Sequence, residues 1–144
     1  MAGLGIRLEA GDRMILNGAG VHFLTGAQIR LINRADFLFG RQIMRPEEAN
    51  TPARRIYYAL QNAYVGTAEE RVTALTEAKW YVTTFIQETT SESARTLLAD
   101  ALRVATEGNF YRALKIARRI IRHEDAVLKE ISKTSDFSDE AREP

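Results

Sequence analysis

Apolar and polar residues alternate along the chain up to about residue 44. Ile6 and Leu8, for example, are separated by Arg7, as in a strand with one buried face. Two short β-prone runs, residues 14–16 and 21–24, are joined through Asn17-Gly18, a pair that favours the positive φ angles of a tight hairpin turn. The pattern predicts four or five short antiparallel strands with one apolar face and one face rich in arginine.

After Pro46 the apolar residues recur with the period of a helix. Thr51-Pro52 is typical of an N-cap followed by proline at the first helical position, and residues 67–70 form a capping box. We expect four helices, at about residues 51–66, 67–88, 94–107 and 110–131. Residues predicted to face inward include Val72, Leu75 and Val82 on the second helix and Leu128 on the fourth.

Strands that precede helices define an α+β fold. The change of period places a boundary after residue 45. We therefore predict an antiparallel β subdomain at 1–45, which includes a nucleic-acid-binding part, and a helical subdomain at 46–132. Residues 133–144 are short, polar and acidic, and we expect them to be disordered.

The residues needed for common catalytic and metal sites are scarce. Cysteine is absent, His22 and His123 are the only histidines, and the glycines match no nucleotide-binding loop. We therefore predict no catalytic residue, no metal and no cofactor, and a binding protein instead of an enzyme. Apolar runs of membrane-spanning length and a basic leader are also missing from the sequence, so we expect a cytoplasmic protein without membrane contact.

The net charge of +1 is unevenly distributed, because residues 1–63 carry eight arginines and no lysine. The guanidinium group grips phosphate in two places and stacks on bases, which favours a polyanion such as RNA as the ligand. Phe39, Tyr57 and Tyr58 lie nearby in sequence and are candidates for base stacking. The predicted RNA-binding residues are Arg7, Arg30, Arg34, Arg41, Arg45, Arg54 and Arg55.

Arg54 and Arg55 lie in the first turn of a predicted helix, where the helix dipole disfavours cations. An anion must offset this cost. Two sources stay open, a bound ligand or an internal acid such as Glu47 or Glu48.

A second basic group follows one face of the fourth predicted helix, where residues 109–123 contain five basic side chains and no acid. A solvated face usually mixes signs, so a stripe of one sign favours a binding surface, for RNA or for an acidic protein partner. A simple solvated face is the alternative. The predicted partner-binding residues are Arg112, Lys115, Arg118, Arg119 and Arg122.

Three segments resemble the FlbT family of flagellar regulators: residues 45–61 (RPEEANTPARRIYYALQ), 17–19 (NGA) and 107–115 (EGNFYRALK). The resemblance implies control of flagellin synthesis through the 5′ untranslated region of flagellin messenger RNA, together with a second regulator, FlaF. In some relatives the effect is positive. The alternative is an adaptor that acts through FlaF or flagellin without touching RNA. Short strands also leave open a homodimer formed by strand pairing.

Residues 6–45 also resemble the carbon storage regulators, a family of β-rich RNA-binding dimers, through residues 11–16 (GDRMIL) and 28–33 (QIRLIN). The alignment needs a one-residue gap after Ile32, and the helices have no counterpart in that family. It implies that Arg41 corresponds to the family's main RNA-contacting arginine.

Overall fold

The computed structural model describes residues 3–142, with side chains described for residues 3–133. Five short strands come first, and all of their pairings are antiparallel, as predicted. β1 pairs with β4 in one sheet, and the second sheet has the order β3-β2-β5. The strands are β1 Leu4–Leu8, β2 Arg13–Leu16, β3 Ala19–His22, β4 Ala27–Leu31 and β5 Phe37–Phe39.

The turn between β2 and β3 has the conformation that its sequence favours. Asn17 and Gly18 have φ angles of 48° and 83°, so both adopt the left-handed region. A Cβ atom on Gly18 would also lie 3.0 Å from the carbonyl oxygen of Tyr64. The turn therefore needs glycine for its backbone angle and for its close approach to the helical half.

Four helices follow, and short loops join them, so the fold is α+β as predicted. Thr51 caps the first helix by accepting a hydrogen bond from the Arg54 amide at 3.2 Å. Thr67 and Glu70 form the capping box of the second helix. The helices are α1 Pro52–Val65, α2 Ala68–Glu88, α3 Glu92–Thr106 and α4 Phe110–Arg142. No helix in the described part of the chain is long and apolar enough to cross a membrane.

Two inward-facing predictions are wrong. Val72 is 67% exposed, and the residues of α2 that are buried are Ala74, Ala78 and Val82. These three are spaced by four, and the two small alanines let α2 approach its neighbours closely. Leu128 is 47% exposed because α1 begins beside Glu124, so α4 continues past the start of α1.

The fourth helix is longer than the sequence predicts, since its backbone continues from the expected end near residue 131 to Arg142. The side chains of residues 134–144 lie outside those that the structure describes. The disordered tail at 133–144 and the division into subdomains at 1–45 and 46–132 stay predictions.

The main core lies among the helices and includes two strand residues. Ile15 of β2 and Leu38 of β5 are register partners, and both are buried in the same cluster as Ile56 and Leu60 of α1. A smaller cluster of Ile6, Leu8 and Met14 lies within the strands. Burial of these apolar groups holds the β2–β5 edge against the helices and so fixes the position of the segment that follows β5.

Candidate nucleic-acid interface

A groove of about 890 Å³ lies between the end of the three-stranded sheet and α1. Three arginines line it, together with one tyrosine and one asparagine side chain of α1. These residues are Arg13, Arg41, Arg45, Tyr58 and Asn62. We call this surface the arginine groove. It also contains Asp12 and Glu48.

The sheet register explains why Arg13 and Arg41 lie at the same end of the sheet. Met14 of β2 pairs with Phe39 of β5 in an antiparallel ladder. The residue before Met14 and the residues after Phe39 therefore lie at the same end of the sheet. Sequence reasoning missed Arg13, although the pairing of β2 with β5 would have indicated it.

The backbone around Arg41 is held by side chains of α1. The Tyr57 hydroxyl donates a hydrogen bond to the carbonyl oxygen of Gln42. The Gln61 side-chain amide makes two hydrogen bonds to the backbone of Met44. It accepts from the Met44 N–H at 2.8 Å and donates to the Met44 carbonyl oxygen at 2.9 Å. Gln61 is buried, whereas the Arg41 side chain is exposed. The guanidinium of Arg41 is thus presented to solvent from a fixed backbone.

Arg45 lies in the same groove and is paired with neighbouring acids. Its Nε atom lies 3.1 Å from Glu48 and 3.6 Å from Glu47, and its backbone N–H donates to Glu48 at 3.0 Å. The backbone hydrogen bond from Arg45 lowers the pKa of Glu48 below its ordinary value, and the side-chain hydrogen bond adds to this effect. All three side chains are exposed, so these pairs are screened by solvent.

Arg54 makes a forked ion pair with α4. Its Nη1 and Nη2 atoms donate to Asp125 at 2.9 and 3.0 Å, and Nη1 lies 3.5 Å from Glu124. The hydrogen bond to Asp125 raises the pKa of Arg54 above its ordinary value. Internal acids thus offset the cost of a cation in the first turn. The main ones are Asp125 and Glu124 of α4, and of the two acids suggested by the sequence only Glu48 adds a smaller electrostatic effect.

The remaining predicted arginines lie elsewhere. Arg7 and Arg30 are exposed on the β1–β4 sheet, where Arg7 pairs with Gln28 and Arg30 with Gly5. Arg34 is exposed in a depression near β4, and Arg55 is exposed in the first turn of α1. Of the seven predicted arginines, the structure therefore brings only Arg41 and Arg45 into the groove.

The aromatic residues also separate into different roles. Tyr57 is 3% exposed, and its hydroxyl lies between Gln42 and Arg118, so its ring is part of the core. Phe39 packs on Phe37 with ring centroids 6.1 Å apart. Tyr58 is half-buried and lines the groove together with the arginines.

The predicted stripe of α4 is exposed at Arg112, Lys115, Arg119 and Arg122. Arg118 has a different environment, because it is half-buried and donates to the Tyr57 hydroxyl at 3.1 Å. Its guanidinium lies 5.8 Å from the centre of the Tyr57 ring. The contact of Arg118 with Tyr57 connects α4, through that hydroxyl, to the carbonyl next to Arg41.

Arginines clustered beside an aromatic ring are typical of proteins that bind an anionic ligand, and here an α+β fold carries them. The chain belongs to the FlbT family, since a family model described as "Flagellar protein FlbT" matches residues 4–128.

Curated relatives extend the match along most of the chain. A protein of Caulobacter sp. (strain K31) is 30% identical over 139 residues, which cover 90% of this chain and 98% of the relative. A protein of Chelativorans sp. (strain BNC1) is 27% identical and covers 85% of this chain and 84% of its own. A protein of Brucella abortus (strain S19) is 30% identical over a match that covers 78% of this chain and 74% of the relative. Each is named "Probable flagellum biosynthesis repressor protein FlbT".

No solved structure matches the chain. The comparisons also give no support to the resemblance of residues 6–45 to the carbon storage regulators. A role for Arg41 must therefore rest on its position in the arginine groove.

Proposed function

We propose that this protein regulates flagellar biosynthesis after transcription, by binding the 5′ untranslated region of flagellin messenger RNA in the cytoplasm. The names of its relatives favour repression as the result. Occupation of the leader would block the ribosome-binding site or expose the message to nucleases. Neither effect requires a catalytic group in this chain.

The observation that carries the proposal is the arginine groove. Arg13 and Arg41 come from different strand ends and line the same groove as Tyr58 of α1. Guanidinium groups bind phosphates, and a neighbouring aromatic ring stacks on a base, which is the combination used for single-stranded RNA. Tyr57 and Gln61 hold the backbone next to Arg41, so binding there orders the arginine side chain but little further backbone.

Direct binding tests this proposal. Purified protein is titrated against the flagellin leader RNA and against a scrambled RNA of the same length, at several salt concentrations. We expect tighter binding to the leader, with a log–log salt slope of about −2 if three arginines each neutralise a phosphate at about −0.7 apiece.

Binding that does not distinguish the two RNAs, or no binding at all, would contradict the proposal. The absence of binding would instead favour an adaptor that reaches flagellin or a FlaF-like regulator through protein contacts.

A further inference from the structure

A second basic surface lies between α3 and α4, in a groove of about 270 Å³. Arg103 of α3 and Arg112, Lys115 and Arg119 of α4 line it, and Leu97 and Ile116 contribute apolar surface. We call this surface the helix groove. Its three α4 cations are spaced by three and four residues, so they follow one face of the helix.

The cations of the helix groove differ in their partners. Arg103 is paired with Asp100 at 3.7 Å and with Glu107 at 3.4 Å, both within one turn of it on the chain. Arg112 and Arg119 are exposed, and the sequence places no acid between residues 109 and 123 to offset them. The α4 side of the groove therefore carries like charges on successive turns, which repel one another in the unbound protein.

The chemistry of the groove favours a protein ligand over RNA. Leu97 and Ile116 are half-buried and offer apolar surface at its base. Tyr111 of α4 is not free to stack on a base, because the Lys115 ammonium lies 4.7 Å from the centre of its ring and the ring packs against Tyr64. Asp100 lines the same groove and can pair with a cation, which a protein ligand supplies and a phosphate chain does not.

We propose that the helix groove is a docking site for an acidic amphipathic helix of a partner protein. Carboxylates of that helix, spaced by three and four residues, would meet Arg112, Lys115 and Arg119 on successive turns. An apolar side chain between them would cover Leu97 and Ile116. A cation on the partner at one end would pair with Asp100 and fix the direction of the helix.

This site is separate from the arginine groove, since the two share no lining residue. Its occupation by a protein therefore does not depend on whether the chain binds RNA. Failure of one proposal leaves the other standing.

The test uses the full chain and three probes. The first is a helical peptide with glutamates spaced by three and four residues around a leucine; in the second, glutamine replaces each glutamate. The third is a single-stranded RNA of the same net charge as the first peptide. We expect the chain to bind the glutamate peptide at least about tenfold more tightly than the glutamine peptide.

Two triple variants with the same change in net charge then locate the site. Arg112→Ala/Lys115→Ala/Arg119→Ala should weaken binding of the glutamate peptide at least about tenfold. Lys79→Ala/Lys129→Ala/Lys133→Ala removes three exposed lysines that do not line the groove. This variant should change the affinity for the glutamate peptide by less than about twofold. The first variant should leave RNA affinity within about threefold of the unsubstituted chain.

Three results would overturn the inference: no preference for the glutamate peptide, equal weakening by both variants, or a loss of RNA affinity as large as the loss of peptide affinity. Thermal melting checks the fold of each variant. Because Lys115 packs on Tyr111, the double variant Arg112→Ala/Arg119→Ala repeats the test with that contact intact.

Discussion

Glu124 on α4 accepts a hydrogen bond from the backbone amide of Ala53 in the first turn of α1, with 2.9 Å between Oε2 and N. The two residues are 71 positions apart in sequence. Glu124 is 7% exposed, and its Oε1 atom lies 3.5 Å from Nη1 of Arg54. A carboxylate at a helix N-terminus also interacts favourably with the helix dipole. One side chain of α4 thus completes the cap that Thr51 begins.

Replacement of Glu124 by alanine should destabilise the fold. The Ala53 amide would lose a charge-assisted hydrogen bond, and Arg54 would lose one of its two acids, so we expect the free energy of unfolding to fall by about 2–3 kcal/mol. Urea denaturation measures the change. The exposed Glu77 of α2 is the matched control, and Glu77→Ala should shift stability by less than about 0.5 kcal/mol. Equal effects of the two substitutions would show that the cap contributes nothing.

Arg54 and Arg55 should have separable effects, although they are neighbours. Arg54→Ala removes the forked ion pair with Asp125 and leaves Glu124 buried without a cation, so we expect a loss of about 2 kcal/mol. Arg55 is exposed, and Arg55→Ala should change stability by less than about 0.5 kcal/mol. Thermal and urea unfolding of the two variants check the difference, and the reverse order would contradict the structural role of Arg54.

Tyr57→Phe should lower stability in a pH-dependent way. Burial raises the pKa of Tyr57 above its ordinary value of 10.0, and the hydrogen bond from Arg118 opposes this shift more weakly. Above about pH 10 the Tyr57 hydroxyl therefore keeps its proton in the folded state but loses it in the unfolded state. The stability contributed by this hydroxyl is fully present below about pH 10 and is lost as the pH rises above that value. Phenylalanine loses the bonds to Gln42 and Arg118, which costs about 1 kcal/mol at neutral pH.

Urea unfolding from about pH 8 to pH 11 measures this effect. The stability difference between Tyr57→Phe and the unsubstituted chain should shrink above about pH 10. Burial also raises the pKa of Tyr64. The stability that Tyr64 contributes should fall equally in both proteins as the pH rises, so it cancels in the difference. A difference that stays constant with pH would contradict the assignment to the Tyr57 hydroxyl.

Tyr58→Leu should weaken RNA binding and leave the fold intact. Leucine keeps most of the packing of a half-buried side chain but cannot stack on a base, so we expect a loss of about 1–3 kcal/mol in binding free energy. Tyr81→Leu provides the control, because Tyr81 is also half-buried but lies on α2, outside the arginine groove. If Tyr58→Leu and Tyr81→Leu lowered RNA affinity by similar amounts, the result would contradict base stacking on Tyr58.

The local features of the fold could be predicted from the sequence because each depends on a few neighbouring residues. Asn17-Gly18 specifies its turn by backbone sterics, and Thr67 with Glu70 specifies a helix start by hydrogen bonds within one turn. Helical period alone does not fix which side of α2 is buried. Ala74 is buried whereas Val72 is exposed, because close approach of the helices favours a small side chain.

The candidate site was predictable only in part, because its geometry depends on contacts between distant residues. Arg41 was singled out through its alignment with the carbon storage regulators, a resemblance that the comparisons do not support. Arg13 enters the groove through the pairing of β2 with β5. Asp125, which makes the forked ion pair with Arg54, lies 71 residues away, so sequence proximity pointed to Glu47 and Glu48 instead. Arg118 lies in the predicted basic stripe, yet the packing of α4 on α1 turns it toward Tyr57.

The most direct test compares leader-RNA affinity between two double variants with the same change in charge. Arg13→Ala/Arg41→Ala removes two cations of the arginine groove, and Arg7→Ala/Arg30→Ala removes two exposed cations of the β1–β4 sheet. We predict that the groove variant binds at least about tenfold more weakly, with its salt slope reduced by about 1.4, while the sheet variant stays within about threefold. Unchanged affinity in a folded groove variant, or a larger loss in the sheet variant, would contradict the assignment of RNA binding to the arginine groove.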